Sequence, residues 1–512
     1  MKIIYKYLPI ILPVIGFMDS LYLMYEHFSP ITAPCGTGIL SGCNAVLESS
    51  YAYFFGVPLA VWGVVHYGVL TYALFLAIKL SKDLWKKWVI GQASVGFFMS
   101  FYLLFLQVAV IKSICIFCLL SALVSIILFV WAYKEYKKYL YLLLLDLFYL
   151  FYKNILKNIF FLFDAELVHK SIVNLGERIG KGGLAWLMKP FNNSVKDKIL
   201  KQKISGINFE SPIGLAAGFD YEARLTQTLS KVGFGFMTVG TITNKAYEGN
   251  KKPRLGRLPK SKSLMVNKGF KNLGAEKTAE NLQGLSFDTP VGISIGVTND
   301  GSITTLKEAL DDIKKAFVIF EKSNLKNKYY ELNISCPNLA VDISFYKEKN
   351  LSELLNTVDK LKLAKPYFVK MPIEKGNEEF LKILKVINKS KASGVIIGNL
   401  QKNRKDKSID RREVEKFKVG NFSGKPTFER SNELIQLTYR KYKDRFIIIG
   451  CGGVFSAEDA YIKIKNGASL VQLITGMIYE GPQLVWQINY NLARLLRKDG
   501  YKDIKEAVGA SV

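Results

Sequence analysis

Long apolar stretches fill the first quarter of the chain and short ones the remainder, and the two patterns predict different architectures. Residues 7–25, 57–78, 88–111 and 116–133 are apolar runs close to the ~20 residues a helix needs to cross a bilayer. They predict an α-helical transmembrane four-helix bundle. The first run lacks a small-residue cleavage site and is followed by further runs, so it reads as an anchor. Residues 139–163 are apolar too, but Asp146, Lys153 and Lys157 interrupt them. An interfacial helix or hairpin is expected there, with a fifth span as the alternative. From about residue 204 short β-branched runs alternate with helical stretches. Eight such runs occur, at 213–217, 236–241, 291–295, 330–335, 367–371, 394–398, 446–449 and 470–474. Eight strand–helix units predict an α/β fold, a (β/α)8 TIM barrel. The competing doubly wound sheet lacks a G-x-G-x-x-G to open a unit. The expected domains are 1–136, a linker 137–165, and 166–512.

Charge adds an orientation. Lys2 and Lys6 precede the first run, residues 26–56 hold no Lys or Arg, and Lys79, Lys82, Lys86 and Lys87 crowd the second connection. Lys134, Lys137 and Lys138 follow the fourth run. By the positive-inside rule both ends of the bundle face the cytoplasm and the 26–56 loop faces out. The barrel is then expected on the cytoplasmic side of the cell membrane. The net charge of +27 fits an anionic lipid surface and a lysine-rich chain. No RNA-binding signature accompanies it, so a nucleic-acid partner is not expected.

Six cysteines divide unevenly: Cys35, Cys43, Cys115 and Cys118 lie in the apolar part, Cys336 and Cys451 in the rest. Cys35 and Cys43 fall in the outer loop, where disulfides persist. Cys115 and Cys118 form C-x-x-C at the outer end of the fourth run, one helical turn apart. A loop pair beside a C-x-x-C suits thiol–disulfide exchange. A plain structural disulfide is the alternative for the loop pair. Half of a zinc site is the alternative for C-x-x-C, and no second pair or histidine cluster completes it, so no metal is expected.

With Asp19-Ser20-Leu21-Tyr22, Ser49-Ser50-Tyr51 and Gly56-Val57-Pro58, these cysteines make residues 8–133 resemble the disulfide-forming branch of the vitamin K epoxide reductase family. That resemblance implies a relay. Cys35 and Cys43 oxidise an extracytoplasmic thioredoxin-like protein, Cys43 exchanges with Cys115, and Cys118 passes two electrons to membrane quinone. Ser49 falls where the family places a hydroxyl near the quinone. Asp19, ionisable within a span, reads as functional or as a helix-end hydrogen-bonding group.

In a barrel, chemistry collects at the strand C-terminal ends. Those ends carry Ala216-Ala217-Gly218, Lys370, Gly450-Cys451-Gly452-Gly453 and Thr475-Gly476, with Ser423-Gly424 upstream. Glycine amides there can approach a phosphate, or simply make turns. Asn267, Asn333, Asn338 and Asn399 offer paired donors and acceptors to a planar ligand with amide edges.

Residues 160–510 resemble the dihydroorotate dehydrogenase family through Gly214-Leu215-Ala216-Ala217-Gly218, Gly240-Thr241, Gly249-Asn250-Lys251-Lys252-Pro253-Arg254-Leu255, Asn267-Lys268-Gly269-Phe270, the NISCPN segment and Gly450-Cys451-Gly452-Gly453. The resemblance implies FMN held by Ala217, Gly218, Thr241, Asn333, Lys370, Ser423, Gly424, Gly452, Gly453, Thr475 and Gly476. It implies substrate contacts at Asn267, Asn333, Asn338 and Asn399. Cys336 would be the base that takes the C5 proton of dihydroorotate. Phe163-Asp164-Ala165-Glu166-Leu167-Val168-His169 resembles the end of the helical pair that precedes the barrel in quinone-linked members.

Four positions depart from the pattern. Cys336 is a soluble-class base beside a membrane-class helical segment. Tyr221 and Leu400 stand where a carboxylate-binding lysine and a threonine are expected, and Ser294 where an FMN-contacting asparagine is usual. Arg224 or Lys268 could replace the lost cation. The leading expectation is a quinone-linked oxidoreductase for dihydroorotate fused to a quinone-linked thiol oxidase. Another reduced pyrimidine or cyclic amide as substrate, and a non-catalytic flavin scaffold, are the alternatives.

Overall fold

The computed structural model describes residues 8–29, 42–191, 197–335 and 344–512. Cys35, Cys336 and Asn338 lie outside the described residues. The chain divides into two compact units, residues 1–148 and 149–512.

The first unit is built on helices α1 (Ile11–Phe28), α2 (Leu59–Leu80), α3 (Asp83–Phe105) and α4 (Ile116–Phe151). Small residues set the packing, as expected where lipid supplies no hydrophobic drive between helices. A Cβ on Gly16 would lie 2.5 Å from the Tyr67 ring, and one on Gly63 2.6 Å from Ser20 Oγ. Leu70, Leu74, Ile90, Val124 and Leu128 form the buried seam. Among the described residues three helical stretches are long and apolar enough to cross a membrane, Leu59–Leu80, Asp83–Ile111 and Ile116–Leu162. The junction is therefore no hairpin. Residues 139–162 prolong α4 past a kink at Tyr136 and through a π-helical turn, Tyr152–Leu156. Lys87 Nζ meets the interrupting Asp146 at 2.5 Å, so that charge is paired within the first unit.

The second unit is the (β/α)8 barrel. Its strands are β1 (Ile213–Leu215), β2 (Phe236–Ile242), β3 (Val291–Ile295), β4 (Tyr329–Asn333), β5 (Tyr367–Met371), β6 (Gly394–Ile397), β7 (Ile447–Cys451) and β8 (Leu470–Leu473), all parallel and closed in chain order. Each expected run lies on its strand within a residue or two, because buried parallel strands read as continuous apolar segments. Side chains fill the interior in layers. The lowest holds Phe236, Tyr329 and Phe368 against Ile207 and Phe209. These last two belong to a hairpin, Gln202–Ile204 with Ile207–Phe209, whose turn residues Ser205 and Gly206 both have positive φ, as two-residue hairpins require. The next layer is polar: Glu331 Oε1 accepts from Thr238 Oγ1 at 2.6 Å and from Gln472 Nε2 at 2.7 Å. Burial raises the Glu331 carboxyl above its usual range, although Lys370 opposes this. Outside the barrel, helix α5 (Ala165–Lys181) starts on an Asp164 cap that accepts from Leu167 N at 2.9 Å.

Candidate active sites

Above the polar layer the strand ends enclose a cavity of about 200 Å³. Its wall holds Ala217, Gly218, Thr241, Asn333, Lys370, Ser423, Gly424, Gly452, Gly453, Thr475 and Gly476 together. Seven of the eight strands contribute. Ser423 and Gly424 arrive through a sheet not anticipated from sequence, Leu255–Leu258 with Ser263–Val266 and Asn421–Phe422. There Ser423 Oγ and Thr475 Oγ1 share a hydrogen bond of 2.8 Å. Gly452 is held at φ +99°, and a Cβ there would sit 2.3 Å from Thr427 Oγ1. Gly452→Ala should destabilise the barrel by about 1–3 kcal/mol, read as a lowered thermal midpoint with weakened flavin retention.

Lys370 is 6% exposed, and no hydrogen bond or ion pair to it occurs among the described residues. Lys268, Lys271 and His169 also line the cavity, and no described Asp or Glu does. An uncompensated buried cation is costly, so this wall is matched to an anionic or electron-rich ligand.

The asparagines separate. Asn333 Nδ2 donates to Thr241 Oγ1 at 2.9 Å, and Thr241 Oγ1 shares a 2.9 Å bond with Ser294 Oγ. Asn399 Nδ2 donates to Ser335 O and Oγ, both at 2.6 Å. Ser335 N and Oγ in turn donate to Asn333 Oδ1 at 3.2 Å. Ser335, which sequence reasoning passed over, thus ties the two cavity asparagines together. Asn267 is absent from the described wall. Its amide is spent on the 250–253 loop, accepting from Asn250 Nδ2 at 3.0 Å and donating to Lys251 O and Pro253 O at 3.4 Å.

The bundle has its own cavity, about 470 Å³, lined by Ser49, His66, Tyr67, Gln92, Gln107 and Cys118 among mostly apolar groups. Cys118 is on its wall. Cys43 and Cys115 pack behind it with Leu23, both fully buried, and Gly42 N donates to Ile114 O at 3.2 Å. Cys43 is disulfide-bonded, whereas Cys115 and Cys118 are free thiols. The loop cysteine and the inner thiol thus pack together, and Cys118 N donates to Cys115 Sγ at 3.4 Å. Ser49 Oγ donates to Val46 O at 2.8 Å. Asp19 is buried with neither carboxylate oxygen hydrogen-bonded, which removes the helix-end hydrogen bond as its explanation.

The dihydroorotate dehydrogenase model matches residues 199–496. A curated relative from Christiangramia forsetii, a dihydroorotate dehydrogenase (quinone), is 36% identical over 348 residues, 67% of this chain and 98% of that one. The chain belongs to the dihydroorotate dehydrogenase family. A second relative of the same description, from Trichodesmium erythraeum, is 33% identical over 70% of this chain and 98% of its own. The crystal structure of the Eimeria tenella dihydroorotate dehydrogenase in complex with ferulenol superposes with a TM-score of 0.60 at 28% identity, covering 68% of this chain and 96% of that one. The vitamin K epoxide reductase family model matches residues 7–133. The chain is accordingly a fusion of the two, and an oxidoreductase by both parts.

Within this dihydroorotate dehydrogenase barrel the departures acquire surroundings. Tyr221 and Leu400 both line the cavity. The Tyr221 ring stacks on His169 at 5.4 Å, and Lys268 Nζ lies 3.9 Å from its centroid. His169 Nε2 donates to Phe219 O at 2.9 Å, its Nδ1 has no partner, and burial beside Lys268 pushes its pKa down to about 3. Arg224 is not available to replace the lost lysine. Its guanidinium is held by Glu177, by Asn174 Oδ1 at 2.8 Å and by Glu222 at 3.4 Å, and it is not on the cavity wall. Lys268 is on that wall, and burial pushes its pKa down to about 7.

Proposed function

We propose that the barrel binds FMN and oxidises dihydroorotate to orotate, with membrane quinone as the final acceptor. The observation that carries this is Lys370, buried and unpaired in a cavity without a described acid, among the positions that the family resemblance gives to flavin. When bound, FMN supplies the two-electron acceptor. Lys370 holds its electron-rich edge, the glycine backbone at Gly424, Gly452, Gly453 and Gly476 leaves room for its phosphate, and Asn333 and Asn399 orient the substrate amides. Cys336 takes the substrate proton; a thiol with reference pKa of about 8.5 serves as a base where its surroundings favour the thiolate. The test follows flavin absorbance and orotate formation in purified protein given dihydroorotate and a quinone analogue. Bleaching by dihydroorotate supports the assignment, and bleaching only by another reduced pyrimidine or cyclic amide replaces it. That second reading is favoured by Tyr221 and Leu400 on the wall.

Lys268 is the cation that meets the substrate carboxylate. Glu166 and Glu222 favour its charged form, Lys271 and Arg254 oppose it, and burial outweighs them all. The group is charged below its pKa and neutral above, so the KM for dihydroorotate should rise as pH climbs through about 7. Lys268→Met should raise KM roughly 10- to 100-fold, from a charge-assisted contact of about 1.5–3 kcal/mol, and flatten that pH dependence.

The bundle, in this reading, oxidises thiols of an extracytoplasmic thioredoxin-like protein through Cys35 paired with Cys43, then Cys115 and Cys118, and delivers the electrons to quinone in the 470 Å³ cavity. The lysine distribution supports the loop outside and the barrel in the cytoplasm. A shared quinone pool explains the fusion without direct transfer between the two parts.

A further inference from the structure

The cavity of the bundle contains a group that neither the cysteine relay nor the sequence patterns use. His66 sits in the middle of α2, inside a stretch apolar enough to span a bilayer, where an ionisable side chain is expensive and marks function by default. Its Nδ1 is 3.1 Å from Gln92 Oε1 on α3, and both side chains line the cavity. With Nδ1 paired, Nε2 is the free ring nitrogen. Room for it is made by Gly96, one turn beyond Gln92: a Cβ there would lie 2.7 Å from Nε2 and 3.3 Å from Ser125 Oγ. Ser125 is hydrogen-bonded to Tyr67 OH at 2.8 Å, and that hydroxyl also meets Ser121 Oγ at 3.0 Å. Ser121 and Ser125 recur on the Cys118 face of α4 at helical spacing. A polar strip therefore leads from Cys118 towards the imidazole along an otherwise apolar wall.

We propose that His66 is the proton donor to quinone in this cavity, with Gln92 holding its ring. The inference rests on the quinone reading of the bundle. The step balances internally. Cys115 and Cys118 lose two protons and two electrons as their sulfur–sulfur bond forms. Quinone gains both electrons and two protons to become quinol. With Nδ1–H held by Gln92 Oε1, Nε2 takes one thiol proton and hands it to a quinone oxygen, and the second thiol proton goes to the other quinone oxygen.

The test uses full-length protein with dithiothreitol as thiol donor, a short-chain benzoquinone as acceptor and no dihydroorotate, so the barrel contributes no electrons. His66→Phe should raise the quinone KM at least 10-fold and lower kcat by a similar factor, while reduction of the Cys43 disulfide by dithiothreitol without quinone is unchanged. His66→Gln should recover KM, because it restores a hydrogen-bonding group, but not kcat, because an amide does not relay a proton. Gly96→Ala, which crowds Nε2 without touching a cysteine, should lower kcat alike and serves if the Phe variant fails to fold. Unchanged KM and kcat in His66→Phe, or recovery of both in His66→Gln, overturns the proton role. Wild-type protein that does not reduce the quinone at all overturns the quinone reading itself, a separate and recognisable result.

Discussion

Replacing Lys370 with methionine should strip the barrel of flavin while making the apoprotein harder to unfold. The two effects have opposite signs because the same charge is unpaired before the ligand arrives and paired afterwards. Lys370 lies 6% exposed in a wall whose described residues include no acid. In the apoprotein its ammonium is held out of water, which is costly for a cation, with Glu331 one layer below as the acid it acts on. Methionine keeps most of the length of the side chain and removes that cost, and a gain of about 1 kcal/mol corresponds to a rise of about 1 °C in thermal midpoint for a chain of this size. In the holoprotein the lost charge-assisted contact is worth about 1.5–3 kcal/mol, or roughly 10- to 100-fold in FMN affinity. Absorbance of the purified variant and titration with FMN measure the second effect, and thermal melts of flavin-free protein the first. Full flavin content in the variant would remove Lys370 from the cofactor site.

Cys118→Ala should reduce quinone-dependent thiol oxidation to background, a loss of at least about 100-fold, because covalent steps of this kind have no substitute when the nucleophile is removed. Cys118 is the cavity thiol, and Cys115 is fully buried behind it. Without Cys118 no Cys115–Cys118 disulfide can form for the reduced Cys43 to attack, so electrons left on the loop pair have no route to the acceptor. The loop disulfide should therefore be reducible and should stay reduced when quinone is added. Quinone absorbance follows turnover, and alkylation of free thiols reports where the electrons stop. Undiminished turnover would take Cys118 out of the relay.

The barrel was legible because its strands are buried on both faces and read as apolar blocks, and because its ligand wall is written in glycines that turn at strand ends. What escaped the sequence depends on contacts between distant segments. Ser423-Gly424 reaches the cavity on the antiparallel Ser263–Val266 strand, a pairing that no local period announces. Asn267 has the right type and place in the chain, yet its amide is consumed by the 250–253 loop. Arg224 and Lys268 were equivalent as letters; the carboxylates around Arg224 separate them. Asp146, Lys153 and Lys157 argued for an interfacial helix or a hairpin at the junction. Asp146 pairs with Lys87 and Lys153 with Glu480 at 3.3 Å, and the segment is helix that continues α4. His66 and Gln92 become a pair only when α2 and α3 lie side by side.

The hairpin that stoppers the lower end of the barrel has a consequence for proton traffic. With Ile207 and Phe209 sealed against the first aromatic layer, the fully buried Glu331 can trade its proton with bulk water only upwards, past Lys370. A ligand seated there closes that exit as well. Whatever protonation state the carboxyl holds when the cavity fills is then kept until it empties, so the charge beneath the cavity is set before a ligand arrives.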